Sequence, residues 1–285
     1  MTICPTCKVL IVGCGDLGLT VARQLLKAGI ETTGARRSAQ QVDGMKMIQA
    51  DVNQPATLAA LEDIWPEIII YCVAAHAQTD EAYQSAYVDG LRNVLATQVH
   101  NQNLKHVIFV SSTRVYGQAT EALLDESVEA IATDFGGERL LEAERLLQSL
   151  HYGGTALRLS GIYGPGRLRM INLAQQPVSW PDQNSWSNRI HRDDAAAFIV
   201  YLVKQVMAGV RLQSCYIVTD SKPAAQHEVL HWIAAEIGVK ASAAMPSVQG
   251  GKRLSNSRML ATGFKLKYPD YQTGYASLLL NNDAK

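Results

Sequence analysis

The sequence predicts an α/β chain: a doubly wound parallel sheet flanked by helices, followed by a smaller C-terminal lobe. Three observations carry this. Gly13-Cys14-Gly15-Asp16-Leu17-Gly18 lies between the apolar run Lys8-Val9-Leu10-Ile11-Val12 and a helical pattern over 17–27. Short apolar runs alternate with helix-period segments through the first half. Ile68-Ile69-Ile70 is apolar at consecutive positions, as in a strand covered on both faces.

The first strand, 8–12, enters the glycine turn. The first glycine permits a tight turn, the second lets a pyrophosphate approach the backbone, and the third lets helix and strand pack closely. The helix runs to about residue 28 and stops at Gly29, a C-cap glycine. Strands follow at about 30–34 and 45–49, then a helix over about 55–64. The next strand is 67–73, and a long helix spans about 80–98. Strands at 106–111 and 155–159 complete the alternating part, with a helix over about 135–150 between them. The remainder is less regular: a helix over 193–207, a strand at 216–219, a helix over 228–237 ended by Gly238, and an aromatic, looped tail at 263–280. The expected architecture is a Rossmann-type sheet domain from 1–165 plus about 190–218. A substrate lobe is expected from 166–189 and 219–285.

Lys plus Arg and Asp plus Glu number 26 each, so no global field attracts nucleic acid or an anionic membrane. No apolar run approaches a membrane span, and the N-terminal run lacks the basic leader of a signal peptide. The five cysteines are odd in number and scattered, which suggests reduced thiols and a cytoplasmic protein. Cys4-Pro5-Thr6-Cys7 has CxxC spacing without a second pair, and reads as incidental.

Gly13, Gly15, Asp16, Leu17 and Gly18 are therefore candidate dinucleotide contacts. Dinucleotide sites that take NAD place a carboxylate near the end of the second strand, to accept from the ribose 2′-OH. This chain has Thr32-Thr33-Gly34-Ala35-Arg36-Arg37 there. Guanidiniums suit a 2′-phosphate, so Arg36 and Arg37 favour NADP, with NAD the alternative and a solvated surface pair the plainer account. Asp51, with Val52 beside it, is placed to accept from the adenine amino group. Val73, Ala74 and Ala75 supply small residues along the cofactor's path.

Several segments then resemble the extended short-chain dehydrogenases, the NAD-dependent epimerase/dehydratase family. Ser111-Ser112-Thr113-Arg114-Val115-Tyr116-Gly117 resembles the family's SSxxVYG segment. Residues 158–166, reading RLSGIYGPG, are similar to its YGPG stretch. Arg189-Ile190-His191-Arg192-Asp193-Asp194-Ala195 resembles its IHxDD helix start, and residues 87–94 its segment ahead of the fifth strand. The resemblance covers about residues 8–200. It implies that Ser111 lies against the cofactor, that Ser112 bonds the reacting oxygen, and that Ser160 and Gly161 lie near the nicotinamide. Asp193 and Asp194 also read simply as helix-capping carboxylates.

The family's chemistry rests on Tyr-x-x-x-Lys, a phenol that exchanges a proton and a lysine that supports it. None of the eleven tyrosines has a lysine four residues on. In the expected segment, one register puts Phe135 and Arg139 at these positions; another, anchored on Glu144, puts Gly136 and Leu140 there. Both remove the phenol. Arg139 could still hold a ribose hydroxyl, but it stays protonated. The chain thus resembles the atypical members of the superfamily. Tyr116, Tyr163, Glu138 and His76 are candidate replacement acids, each with a plainer account as a packing, surface or loop residue.

The expected function is that of an epimerase, dehydratase or reductase acting on a sugar-like or small polar substrate. A catalytically inactive NADP(H)-binding sensor is the alternative. A homodimer through the helices at about 80–98 and 135–150 is a further expectation. His227-Glu228-Val229-Leu230-His231 matches the HExxH zinc signature. No third ligand follows it, so an ordinary amphipathic helix is expected there, and no metal.

Overall fold

The computed structural model describes residues 8–118, 120–241 and 244–282. Cys4 and Cys7 lie outside them. The chain opens with β1 (Lys8–Val12), α1 (Asp16–Lys27), β2 (Glu31–Arg36), β3 (Lys46–Gln49), a 3₁₀ helix at Pro55–Leu61 and β4 (Ile68–Tyr71). It continues with α2 (Asp80–Tyr83), a π-helical segment (Gln84–Asp89), α3 (Gly90–Ala96), β5 (His106–Ser112), β6 (Leu123–Leu124), α4 (Phe135–Gln148) and β7 (Gly153–Leu159). Then come β8 (Gly161–Tyr163), α5 (Arg169–Ala174), β9 (Asn184–Ser187), β10 (Arg189–His191), α6 (Arg192–Met207) and β11 (Cys215–Val218). The last elements are β12 (Ala224–Ala225), α7 (Gln226–Glu236), β13 (Val248–Gly251), β14 (Arg253–Leu254), α8 (Ser257–Ala261) and α9 (Tyr271–Asn282).

A seven-stranded sheet has the order β11-β7-β5-β4-β1-β2-β3. From β5 to β3 every pairing is parallel. This is the doubly wound Rossmann-type fold the sequence predicts. Ile68, Ile69, Ile70, Leu10 and Ile11 are fully buried, as a sheet covered on both faces requires.

The chain divides into two compact units: 1–117 with 130–158 and 196–216, and 118–129 with 159–195 and 217–285. The sequence-based boundaries assign 118–129, 159–165, 190–195 and 217–218 differently. Local pairing explains the division. Within the second unit, β8 runs parallel to β10, and β14 pairs with β6.

Two helices differ from expectation. The segment expected as one helix over 80–98 is broken by a π-helical turn. Within that segment the Tyr71 hydroxyl donates to Ala86 C=O at 2.5 Å. Gly90 is needed here, because a Cβ on it would lie 2.5 Å from Tyr71 Oη. The tail expected as a loop contains α9. Its Tyr271, Tyr275 and Leu278 are buried in the second unit's core with Tyr163, Val229, Leu230 and Ile233. Burial of one face, rather than propensity, holds this helix.

Candidate functional site

The glycine turn has distinct geometry at each glycine. Gly13 has φ +95°, and a Cβ there would lie 2.5 Å from the Cys72 carbonyl carbon. Only glycine fits this left-handed, close approach. A Cβ on Gly18 would lie 2.5 Å from Gly13 O, so Gly18 sets how closely α1 meets the turn. A Cβ on Gly15 would meet nothing within 4 Å: the backbone there faces open space. Gly15 is also the N-cap of α1, and no side chain caps it. The helix ladder begins with Leu19 N–H to Gly15 C=O. The N–H groups of Leu17 and Gly18 precede it, in the turn where helix donors have no ladder acceptor. An open helix N-terminus with exposed backbone suits a diphosphate.

Beyond β2, a cavity of about 280 Å³ is lined by Arg36, Ser38, Gln40, Gln41, Met47 and Gln49, among others. No carboxylate lines it. Arg36 is half-buried and its Nη1 bonds Gln40 Oε1, while Arg37 is exposed. Asp51 is half-buried; its Oδ1 accepts from Asn53 N–H at 3.0 Å. Val52 is buried, Val73 and Ala75 are half-buried, and Ala74 is exposed.

At the end of β5, Ser111 and Ser112 point to different tasks, as successive strand residues do. Ser111 is buried and donates to Glu144 Oε1 at 2.6 Å. Arg158 grips the same carboxylate through Nε and, at 2.7 Å, through Nη2. Its Nη1 donates to Tyr116 Oη at 2.6 Å. Burial works against the Arg158 charge, but Glu144 outweighs it and holds the guanidinium's pKa above its ordinary value. Ser111 and Tyr116 therefore belong to a structural network. Tyr116 is fully buried, which corrects its candidacy as a proton donor. Ser112 is half-exposed; its Oγ accepts from Arg114 N–H at 3.2 Å, which leaves its own hydrogen to give.

Helix α4 starts from Asp134, whose carboxylate accepts from Gly137 N–H at 2.8 Å. Gly136, Leu140 and Glu144 are among its buried residues, with Gly137, Ala143 and Leu147. The first three share the face that carries the Glu144 network, which corresponds to the Glu144-anchored register. Arg139 lies elsewhere. Its Nε and Nη2 clasp Asp80 at 2.7 and 2.9 Å, and its Nη1 meets Glu142 at 3.0 Å. The Arg139 bonds hold the Asp80 carboxyl below its ordinary pKa. These bonds leave Arg139 tying α4 to α2, which corrects the ribose-binding expectation. Glu138 and His76 are exposed.

The sequence does not single out Gln78, Tyr83 and Arg114, yet the structure brings them together. Arg114 Nε donates to both Asp134 oxygens, at 2.9 and 3.0 Å. Its Nη1 donates to Gln78 Oε1 and to Tyr83 Oη, each at 2.8 Å. Tyr83 Oη donates in turn to Gln78 Oε1 at 3.1 Å. Phe135 meets the Tyr83 ring edge-on at 5.5 Å. Burial alone would raise the Asp134 carboxyl, but Gly137 N–H and Arg114 pull its pKa below the ordinary value.

The second unit holds the remaining candidates. Ser160 is buried and donates to Thr219 Oγ1 at 3.0 Å, while Gly161 is exposed. Tyr163 is a core residue, 4% exposed, against Tyr275 at 4.4 Å and His191 at 5.3 Å. Its hydroxyl is enclosed in this core, which tells against its candidacy as an acid; desolvation also pushes the phenol well above the ordinary range. Asp194 does not cap α6: it accepts from Lys267 and Tyr268 N–H at 2.9 and 2.8 Å. Asp193 pairs with Arg192. In the HExxH segment, His227 Nε2 bonds Pro181 C=O at 2.8 Å and Tyr271 donates to Glu228. Among the described residues no group of three metal-ligating side chains converges. None of their helices is long and apolar enough to cross a membrane.

Residues 9–217 match the model of the NAD dependent epimerase/dehydratase family. Protein YeeZ of Escherichia coli (strain K12) is 28% identical over 279 residues, covering 92% of this chain and 97% of that protein. A solved structure from Methylobacillus flagellatus, named for the NAD-dependent epimerase/dehydratases, is 51% identical with TM-score 0.89, covering 98% of this chain and 99% of that one. The Thermus thermophilus UDP-glucose 4-epimerase, in complex with NAD, shares the fold at TM-score 0.74 and 18% identity, covering 94% and 96% of the two chains.

Proposed function

Because this chain belongs to the NAD-dependent epimerase/dehydratase family, we propose that it binds a nicotinamide dinucleotide. We propose further that it carries out oxidoreduction or isomerisation at a hydroxyl- or carbonyl-bearing carbon of a sugar-like or other small polar substrate. The observation that carries this reading is the glycine cradle: Gly13 and Gly18 are closed by neighbouring backbone, while Gly15 faces open space at the N-terminus of α1. The residues fit the group. Leu17 and Gly18 N–H would meet the diphosphate, Asp51 the adenine, and Val73, Ala74 and Ala75 the passing chain. When bound, the nicotinamide would supply or accept hydride. Ser112 would donate its hydroxyl hydrogen to the substrate oxygen and hold it in place.

NADP is the favoured dinucleotide. The cavity beside β2 has Arg36 and three glutamines in its wall and no carboxylate, which suits a phosphate rather than a ribose hydroxyl. Titration calorimetry with NADP⁺ and NAD⁺ tests both levels. NADP⁺ should bind at least about tenfold more tightly, the worth of one or two charge-assisted hydrogen bonds. Joint replacement of Arg36 and Arg37 by Ala should erase the difference. Equal affinity in the native chain would remove the preference, and no binding of either would remove the function.

Gly136 on the inner face of α4, together with Arg139 bound to Asp80, favours one other reading: a protein that binds NADP(H) without turnover. NADPH oxidation across a panel of nucleotide sugars and simple carbonyls separates the two. A rate that falls on Ser112→Ala supports the enzyme.

A further inference from the structure

We infer that Arg114 and Tyr83 form a receiving site for a substrate carbonyl oxygen, with Tyr83 as its proton donor, and that the Gln78 amide oxygen is the group a substrate oxygen displaces. This rests on the oxidoreductase reading above. The geometry is a convergence of two donors on one oxygen. Gln78 Oε1 accepts from Arg114 Nη1 at 2.8 Å and from Tyr83 Oη at 3.1 Å. Paired, pre-aimed donors of this kind stabilise an oxygen that gains negative charge. Gln78 is exposed and lies between β4 and α2, so its amide can leave without disturbing the core.

The donors themselves are fixed. Arg114 is held through Nε by both oxygens of Asp134. The Tyr83 ring is 7% exposed, wedged between Phe135 at 5.5 Å and Tyr87 at 5.1 Å. The Arg114 backbone N–H also bonds Ser112 Oγ, so the two residues share one turn. The guanidinium takes the volume into which Gly136 would project a side chain, since a Cβ there would lie 2.6 Å from Arg114 Nε. The phenol absent from α4 is thus supplied from the end of α2. There the chain passes into a π-helical segment, a distortion found disproportionately at functional positions.

In the reductive direction a bound reduced nicotinamide would supply the hydride to the substrate carbonyl carbon, and the C=O π pair would move to oxygen. Tyr83 Oη gives its proton to that oxygen, so C=O becomes CH–OH. The phenolate left behind stays bonded to Arg114 Nη1, and water returns the proton. Arg114 keeps its charge throughout.

The test uses acetate as the oxyanion probe on the full chain, with and without NADP⁺. It is read by the ¹³Cζ shift of labelled tyrosine and by calorimetry. A saturable response is expected. Gln78→Ala should tighten acetate about fivefold, because the amide oxygen that competes for both donors is gone. Tyr83→Phe keeps the ring packing and should weaken acetate about tenfold or more, as loss of a charge-assisted bond does. No saturable binding in Gln78→Ala, or equal affinity in Tyr83→Phe, would overturn the inference. NADP⁺ binding in the same samples reports separately on the underlying reading: retained cofactor binding with a failed acetate response removes only this proposal.

Discussion

Gly136 and the Arg114 guanidinium compete for one volume: a Cβ added to Gly136 would lie 2.6 Å from Arg114 Nε and 2.7 Å from Nη1. The missing side chain on α4 and the arginine that follows Ser112 are therefore one feature. Elsewhere in a helix, Gly→Ala stabilises by up to about 1 kcal/mol. Here Gly136→Ala should destabilise by about 1–2 kcal/mol, because Arg114 must give up bonds to Asp134, Gln78 or Tyr83. In an Arg114→Ala background the same change should become stabilising. Urea unfolding of the four proteins measures the reversal, and an unchanged sign would refute the competition.

The glycines of the cradle should separate stability from binding. Gly13→Ala places a Cβ against the Cys72 carbonyl at a φ of +95°, and should cost about 2–4 kcal/mol. The Cβ of a Gly15→Val variant would have no protein atom within 4 Å, so the urea midpoint should stay nearly unchanged, while calorimetry shows NADP⁺ binding lost. A Gly15→Val protein that binds as the native chain does would remove the cradle from the cofactor site.

The Glu144–Arg158 pair is largely buried, with side chains 7% and 12% exposed at 2.7 Å. Arg158→Leu leaves a buried carboxylate whose remaining partner among the described residues is Ser111, and should cost about 3–5 kcal/mol. Replacing both, as Glu144→Leu with Arg158→Leu, should cost much less than the sum of the single changes. A double-mutant cycle in denaturant measures this, and strict additivity would count against the coupling.

Asp220 gives the fold a pH dependence. Desolvation, only partly opposed by Arg189, raises its carboxyl to about 7 from an ordinary value of 3.8. Between these values the native state keeps a proton that the unfolded chain has lost, so stability falls as pH rises through that window. The loss should reach about 2–4 kcal/mol by neutral pH. Asp220→Asn keeps the shape, and its unfolding free energy should vary less with pH over the same range. Parallel stability profiles for the two proteins would refute this assignment.

Much of the first unit was legible in the sequence because its signals are local. A strand buried on both faces shows as a continuous apolar run, and a tight strand-to-helix turn requires glycines at fixed spacing. The π-helical break was not legible, because the Tyr71 hydroxyl that bonds Ala86 C=O there comes from β4, distant in the chain. The second unit was harder to read. Its strands are two to four residues long, too short for an alternation to register, and α9 depends on a core built from α5, α7 and β8. Tyr116, Tyr163 and Arg139 show the same limit at the site. Motif position brought each forward as a catalytic candidate, whereas burial or a carboxylate partner removed it. Gln78, Tyr83 and Arg114 carried no recognised spacing, because their meeting joins three separate segments.

The amino-acid sequence alone determined the doubly wound sheet, the glycine cradle ahead of α1, the pair of arginines at the end of β2 and the loss of a phenol from α4. Each depends on neighbours close in the chain, through backbone conformation and side-chain periodicity. The tertiary structure alone decided which polar groups are already engaged: Tyr116 by Arg158, Arg139 by Asp80, and Gln78 by Tyr83 and Arg114. Hydrogen bonds and desolvation act between residues that only folding brings within about 3 Å of one another.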